Sequence, residues 1–280
     1  MDQKHLFDNV SIRCSRLTTR AYSTSFSLGI RCLEKELRDP IYAIYGFVRF
    51  ADEIVDTFHN FNKADLFARF QDETYRSIAD GISLNPILNS FQSTVNTFKI
   101  EKQLIDQFLR SMEMDLHKTT YDQQGLQEYI LGSAEVVGLM CLRVFCKGDD
   151  EMYARLKPSA MSLGSAFQKI NFLRDLNADY VGMGRTYFPG IDISSFDDDS
   201  KEQIEKSIKV DFDEGYKGIK QLPRSARFGV YVAYVYYLAL FRKIQNTPSD
   251  HVLKSRISIR KRHKARLLAY SFLKHQLNML

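Results

Sequence analysis

The chain has 280 residues, 44% of them apolar and 26% charged, which excludes wholesale disorder and leaves room for one large domain or two small ones. Its four cysteines, Cys14, Cys32, Cys141 and Cys146, form no CxxC pair and read as free thiols of a reducing compartment rather than as a disulfide framework. The net charge of +5 is too mild to point to nucleic acid by itself.

From the N-terminus, MDQKHLFDNV shows no apolar signal region, and no uncharged apolar run approaches the roughly 20 residues of a membrane span. The expectation is a soluble cytoplasmic protein. Apolar residues then recur at three- and four-residue steps, as in Leu104, Ile105, Phe108, Leu109 and Met112, or Phe167, Ile170, Leu173 and Leu176. That spacing predicts helices over 18–34, 39–58, 62–79, 86–97, 101–117, 123–146, 151–181, 200–219, 223–245 and 249–276. Asp39-Pro40, Asn85-Pro86 and Thr247-Pro248 each place a capping residue before a proline suited to a first helical turn. No sustained two-residue alternation, hairpin dipeptide or fixed repeat appears, so the fold class is all-α, in a single domain spanning 1–280. One ordered loop interrupts the pattern, from Gly182 through Arg185, Thr186, Tyr187, Phe188, Pro189 and Gly190 to Ser194. The acidic run Asp197–Asp199 behind it reads as dipole compensation for the next helix rather than as a metal site.

Two of the apolar helices carry polar stripes. In DPIYAIYGFVRFADEIVD, Tyr42, Tyr45, Arg49, Asp52 and Asp56 follow one another at steps of three and four, hence along one face. In SAFQKINFLRDLNADY, Gln168, Asn171, Asp175 and Asp179 do the same. Like charges one turn apart repel, and burying four carboxylates without compensation is prohibitive. Solvated acidic faces would avoid that conflict, but each stripe interrupts a mostly apolar stretch. Divalent cations resolve it, and oxygen-only ligands select Mg²⁺ or Mn²⁺, whose open positions accept phosphate oxygens. Arg49, Arg174 and Arg185 beside the stripes suit a diphosphate that stays anionic when metal-bound.

These motifs resemble those of the squalene and phytoene synthases, the head-to-head prenyl synthases. DEIVD (52–56) and NFLRDLNAD (171–179) are similar to that family's two aspartate-rich motifs. Ser23-Thr24-Ser25-Phe26 resembles its N-terminal serine/aromatic motif, and Met112–Leu116 its Met-Asp-Leu segment. Tyr129 with Ala134-Glu135-Val136-Val137-Gly138 is similar to its Tyr…Ala-Gly-x-Val-Gly helix, and Gly184–Pro189 to its Gly-Arg-x-Tyr-Leu-Pro loop. Glu214-Gly215-Tyr216, Leu222-Pro223, Ala233 and Tyr237 complete the order.

The resemblance implies an all-α isoprenoid-synthase bundle around a central cavity, taking two prenyl diphosphates with about three Mg²⁺ ions, Mn²⁺ as a substitute. By position it implies metal binding by Asp52, Asp56, Asn171, Asp175 and Asp179. Arg49, Tyr129, Arg174 and Tyr45 are the implied catalytic residues, and Ser23, Ser25, Phe26, Gln168, Arg185 and Tyr237 the implied substrate contacts. Two departures from the family pattern stand out: Thr24 occupies a position where many relatives carry Lys, and Glu135 one where they carry Gly, so that either the helix packing there differs or an extra carboxylate approaches the cavity. The motifs lie nearer the phytoene synthases, implying geranylgeranyl diphosphate as substrate and no NADPH. Dehydrosqualene or squalene synthesis from farnesyl diphosphate is the alternative, and a non-catalytic assembly protein on the same fold is the alternative of another class. Tunnel depth near Ile30 and Tyr42 is expected to set chain length. The basic segment SRISIRKRHKAR (255–266) is expected on an anionic membrane face, as a solvated face or as part of the diphosphate entrance, with no nucleic-acid partner.

Overall fold

The computed structural model describes residues 3–191 and 195–277; Ser194 and the last three residues lie outside the described residues. The helices are α1 (Gln3–Tyr22), α2 (Thr24–Arg31), α3 (Lys35–Asp56), α4 (Lys63–Asp80), α5 (Pro86–Phe98), α6 (Lys102–Met114) and α7 (Gln123–Ile130). A π-helical turn, Leu131–Glu135, joins α7 to α8 (Val136–Cys146). There follow α9 (Asp150–Met183), α10 (Asp198–Gln221), α11 (Arg224–Gln245), α12 (Ser249–Val252) and α13 (Lys261–Gln276). Among the described residues there is no strand, only an isolated parallel bridge between Thr120 and Thr186. The all-α expectation holds.

Several boundaries differ from those the periodicity predicts. The 18–34 window is two helices: Ser23 is extended, with φ −143°, and its hydroxyl accepts from the Phe26 amide at 3.2 Å, ending one helix and capping the next. Helix α3 starts at Lys35, which puts Pro40 inside it, and Asp39 does not cap but accepts from Arg16. Asn85 does cap α5 in front of Pro86, whereas Thr247 bonds back to Lys243 and leaves Pro248 at the cap of α12. The 249–276 helix is interrupted over 253–260. Asp197 caps α10 by accepting from the Ser200 amide at 2.8 Å, a role the sequence reading did not assign, while Asp198 and Asp199 lie in the first turn, where their charge compensates the helix dipole. One helical stretch, Gln123–Cys146, is long and apolar enough to cross a membrane by length and composition, but it carries Glu128, Glu135 and Arg143, and more than half of its most apolar window is buried within the fold, as in a core helix.

The packing explains how the site is held. Phe47 of α3 stacks on Phe91 of α5 at 3.8 Å and meets Phe108 of α6 at 5.3 Å, all three fully buried. A second cluster joins α9, α10 and α11 through Leu173, Ile208, Phe212, Phe241 and Ile244. Between them the π turn is pressed against α6 and α9. A Cβ on Gly132 would lie 2.6 Å from the Gln107 carbonyl oxygen, and one on Gly164 2.8 Å from that of Ala134, so only glycine lets these backbones approach.

Candidate active site

The polar stripe of α3 turns toward a cavity of about 380 Å³ whose walls come from α2, α3, α6, α7 through Tyr129, the π turn, α8, α9, α10 and α11. Tyr45, Arg49 and Asp52 line it from α3, and Gln168 and Asn171 from α9. Below this polar rim the walls are apolar, with Ile30, Val48, Phe108, Met112, Val137 and Leu163 among them. Tyr42 does not reach it. Tyr42 instead borders a different recess beside the start of α3, and its buried hydroxyl has no hydrogen-bond partner among the described residues.

The two acidic rows face one another. Burial, reinforced by Asp56 one turn away, pushes Asp52 up to about 7. Asp179 is likewise pushed up to about 7, by burial first, then by Asp175 on its own helix and Asp56 across the gap. Cations answer part of this charge. Arg49 binds both Asp52 and Glu53 and lies 4.2 Å over the Tyr22 ring. Arg174 pairs with its neighbour Asp175, and Arg256 donates Nε to the same carboxylate at 2.8 Å.

Arg185, expected to meet substrate, is only 5% exposed. One guanidinium nitrogen donates to Asp56 at 2.9 Å, another to the Asp115 carbonyl at 2.8 Å. The Asp115 carboxylate accepts from the Tyr129 hydroxyl at 2.8 Å and the Tyr121 hydroxyl at 3.4 Å, and burial pushes it up to about 7 against the pull of Arg185. Tyr129, Tyr187 and Phe172 stack into an aromatic wall, with Phe172 and Tyr187 3.9 Å apart. The loop that carries Arg185 is held by Thr186, whose amide donates to the Thr119 carbonyl at 2.9 Å.

The remaining predicted contacts converge on the same rim. The Tyr237 hydroxyl donates to Asn171 Oδ1 at 3.2 Å, and Asn171 Nδ2 donates to Gln168 at 3.4 Å. Phe26 packs between Tyr45 at 5.6 Å and Tyr237 at 5.7 Å, and Tyr237 stacks on Phe167 at 4.0 Å. Burial pushes the Tyr45 phenol up to about 12, so it stays a neutral donor. Lys264 Nζ donates to Ser25 Oγ at 2.7 Å and to Thr24 Oγ1 at 3.2 Å. Thr24, where the resemblance leads one to expect a lysine, is thus met by a lysine from α13. Glu135 is absent from the cavity wall; Asp211 and Lys169 are the charges that act on it.

Arg256 and Lys264 belong to the basic 255–266 segment, for which the sequence offers the diphosphate entrance as one of three places but singles out no residue; the contacts to Asp175 and Ser25 put these two at that rim. A signal was present: Ile257 and Ile259 alternate with polar residues, and both pack on the body of the protein, Ile257 at 5% exposure. Asp115 was visible in its motif but carried no role, because nothing local distinguishes it from a helix-end carboxylate.

Among the described residues no group of three or more His, Cys, Asp or Glu gathers as a metal cluster. The donor set nonetheless fits a hard divalent cation: two facing carboxylate pairs, all oxygen, buried enough to be raised by mutual repulsion, with an amide oxygen beside them.

The squalene/phytoene synthase family model matches residues 19–211, more than half of the chain. The chain belongs to that family. It is a family of prenyltransferase-type enzymes of head-to-head condensation, dependent in general on divalent metal. The chain is 26% identical over 279 residues to chloroplastic phytoene synthase 1 of Solanum lycopersicum, covering 92% of this chain and 67% of that protein. It is 28% identical over 193 residues to the 4,4'-diapophytoene synthase of Staphylococcus haemolyticus, covering 66% and 64%. A dehydrosqualene synthase crystal structure superposes with a TM-score of 0.82 at 21% identity over 98% of both chains. Squalene synthase HpnC from Alicyclobacillus acidocaldarius gives 0.72 at 23% identity, over 86% of this chain and 96% of that one. These likenesses show that the fold is the family's helical bundle.

Proposed function

We propose that this enzyme condenses two geranylgeranyl diphosphates head to head, through a cyclopropyl diphosphate, to phytoene, without a reductant. The observation that carries the reading is the meeting of two acidic rows at the rim of one apolar cavity. Curated relatives named phytoene synthase support the C20 substrate.

Asp52, Asp56, Asn171, Asp175 and Asp179 would hold Mg²⁺, or Mn²⁺ in its place. The metal supplies charge neutralisation for the leaving diphosphate. Arg49, Arg174, Arg256 and Lys264 add cationic donors around the same oxygens, with Gln168, Ser23, Ser25 and Tyr237 as neutral partners. Breaking the first C–O bond sends its electron pair to diphosphate and leaves an allylic cation. The double bond of the second chain attacks that cation, and a proton is lost as the cyclopropane ring closes. Ionisation of the second diphosphate, rearrangement and loss of a second proton give the hydrocarbon. The apolar walls exclude water that would quench either cation, and the faces of Phe26, Tyr45 and Phe167 stabilise positive charge by about 0.5–2 kcal/mol each. Arg185 acts at one remove, fixing Asp56 and Asp115, while Asp115 orients the Tyr129 hydroxyl at the reaction end of the cavity.

The fold's likeness to a dehydrosqualene synthase favours a second reading, two farnesyl diphosphates giving a C30 product. Incubation of the purified protein with each prenyl diphosphate separately, with Mg²⁺ and without NADPH, decides between them by product mass. Phytoene from the C20 donor is the expected result. Turnover of the C15 donor alone would replace the substrate assignment, and no hydrocarbon from either donor would end the proposal.

A further inference from the structure

Charge is divided unevenly along this chain. Of its 39 Lys and Arg, eight lie in the last 30 residues, which hold no Asp or Glu, while the first 250 residues carry the other 31 against all 34 acids. Two cations of the basic end turn toward the prenyl cavity, Arg256 to Asp175 and Lys264 to Ser25. Arg262 and Arg266 of α13 stay exposed.

The two sides of α13 differ from those of an ordinary surface helix. Its inner side packs on α11 and α2: Ser271 is 1% exposed, His275 stacks on Phe228 at 4.8 Å, and the Tyr236 hydroxyl donates to the Lys264 carbonyl at 3.1 Å. The outer side of such a helix is normally polar. Here it is not. Arg262, Arg266, Ala269 and Leu273 follow one another at steps of four, three and four, and the cap residue Leu277 continues the line. Leu273 and Leu277 are 59% and 68% exposed, and Tyr270 beside them is 56% exposed. The outer stripe therefore passes from guanidinium groups to hydrocarbon within four turns, with no acid from its own segment to answer the charge.

We propose that the outer face of α13 docks this protein on an anionic lipid bilayer. Leu273, Leu277 and Tyr270 enter the boundary of the acyl chains, and Arg262 and Arg266 meet the headgroup phosphates. Other occupants match this face less well. Water leaves the apolar line without a partner, a second copy of the chain brings the same cations against themselves, and a nucleic-acid duplex leaves the leucines solvated. Docking by this face sets the rim of the cavity about one helix diameter, roughly 10 Å, from the lipid surface, because Lys264 lies on the inner side of the same helix. Resting on the function proposed above, that is the distance over which an amphiphilic prenyl diphosphate passes from bilayer to site.

The test is flotation of the full chain with phosphatidylcholine vesicles, with and without phosphatidylglycerol, at low salt and at about 0.5 M salt, where screening is nearly complete. No prenyl diphosphate or Mg²⁺ is present, so a failure here is separate from a failure of the C20 assignment, which is read from products in detergent. Wild type is expected to float with phosphatidylglycerol vesicles at low salt, and far less at high salt or with phosphatidylcholine alone. Arg262→Glu/Arg266→Glu is expected to weaken binding about 20-fold or more, at roughly fivefold per cation near an anionic surface. Leu273→Gln/Leu277→Gln is expected to weaken it about tenfold or more. Arg262→Lys/Arg266→Lys keeps it, because the charge and not the fork makes the contact. Melting curves and turnover in detergent are expected to stay unchanged in all three. Wild type that does not float with phosphatidylglycerol vesicles overturns the proposal. So does flotation of the Glu and Gln variants equal to wild type, or binding to a short DNA duplex in place of vesicles.

Discussion

Asp52 and Asp56 stand one turn apart on α3, where two carboxylates repel whenever both are charged, and burial amplifies the repulsion. Replacing one of them by its amide removes repulsion and leaves shape unchanged. Asp52→Asn and Asp175→Asn are therefore expected to lower kcat by roughly 10²–10³-fold or more while the melting temperature stays level or rises. Near-normal turnover in either variant would remove that carboxylate from the chemistry. Glu135 carries a different consequence, because it is charged, half-buried and outside the cavity wall. Burial first, then Asp211, pushes it up to about 7 against Lys169. The folded protein thus holds a proton that the unfolded chain releases between about pH 4.5 and 7, so this stabilisation is present below that window and lost as pH rises through it. Glu135→Gln is expected to gain on the order of 1 kcal/mol at about pH 8, discounted for partial exposure, and nothing near pH 4. Urea titrations of both proteins at the two pH values measure this, and an equal gain at both would contradict it.

At the scale of elements, the site depends on how closely the π turn and α9 approach. Gly164→Ala brings a Cβ within 2.8 Å of the Ala134 carbonyl oxygen, a backbone atom that cannot turn aside. The expected cost is about 1–3 kcal/mol, read as a lower urea midpoint with an unchanged slope. Glu135 is tolerated beside this contact because the glycine that permits it lies on α9. Helix existence was legible from apolar spacing except over residues 3–17, which belong to α1, and several boundaries were not legible, two of them for a clear reason. Ser23 sits in a window whose periodicity continues through it, and only its extended backbone shows that a cap, not a helical residue, stands there. Residues 253–260 are surrounded by helix formers yet leave the helix, because Ile257 and Ile259 gain more by packing on α9–α11 than by continuing it.

The whole molecule ties the two acidic helices to segments far away in the chain. Arg256 reaches Asp175, Lys264 reaches Ser25, and Arg185 bridges Asp56 and Asp115, so a ligand binding between the rows is felt by nearly every helix around the cavity. A ligand that binds only the folded state stabilises it by mass action. Mg²⁺ together with inorganic pyrophosphate is therefore expected to raise the melting temperature by several degrees, about 2.7 kcal/mol at a hundredfold excess over Kd, and Mg²⁺ alone by much less. A scanning calorimetry trace that does not move with both present would contradict a shared metal–diphosphate site. The Asp52→Asn variant, showing a smaller shift, locates the effect.

From sequence alone the helical class and both polar stripes follow, because a helix places residues three and four apart on one face whatever surrounds it. The same arithmetic also placed Tyr42 with Tyr45 and Arg49, and there it failed. A stripe on an isolated helix has no neighbours, and packing decides where along it one cavity ends and another begins. Only the tertiary structure brought Lys264 to Thr24 and Ser25 and Arg256 to Asp175, since contacts between residues far apart in the chain depend on the packing of every helix between them.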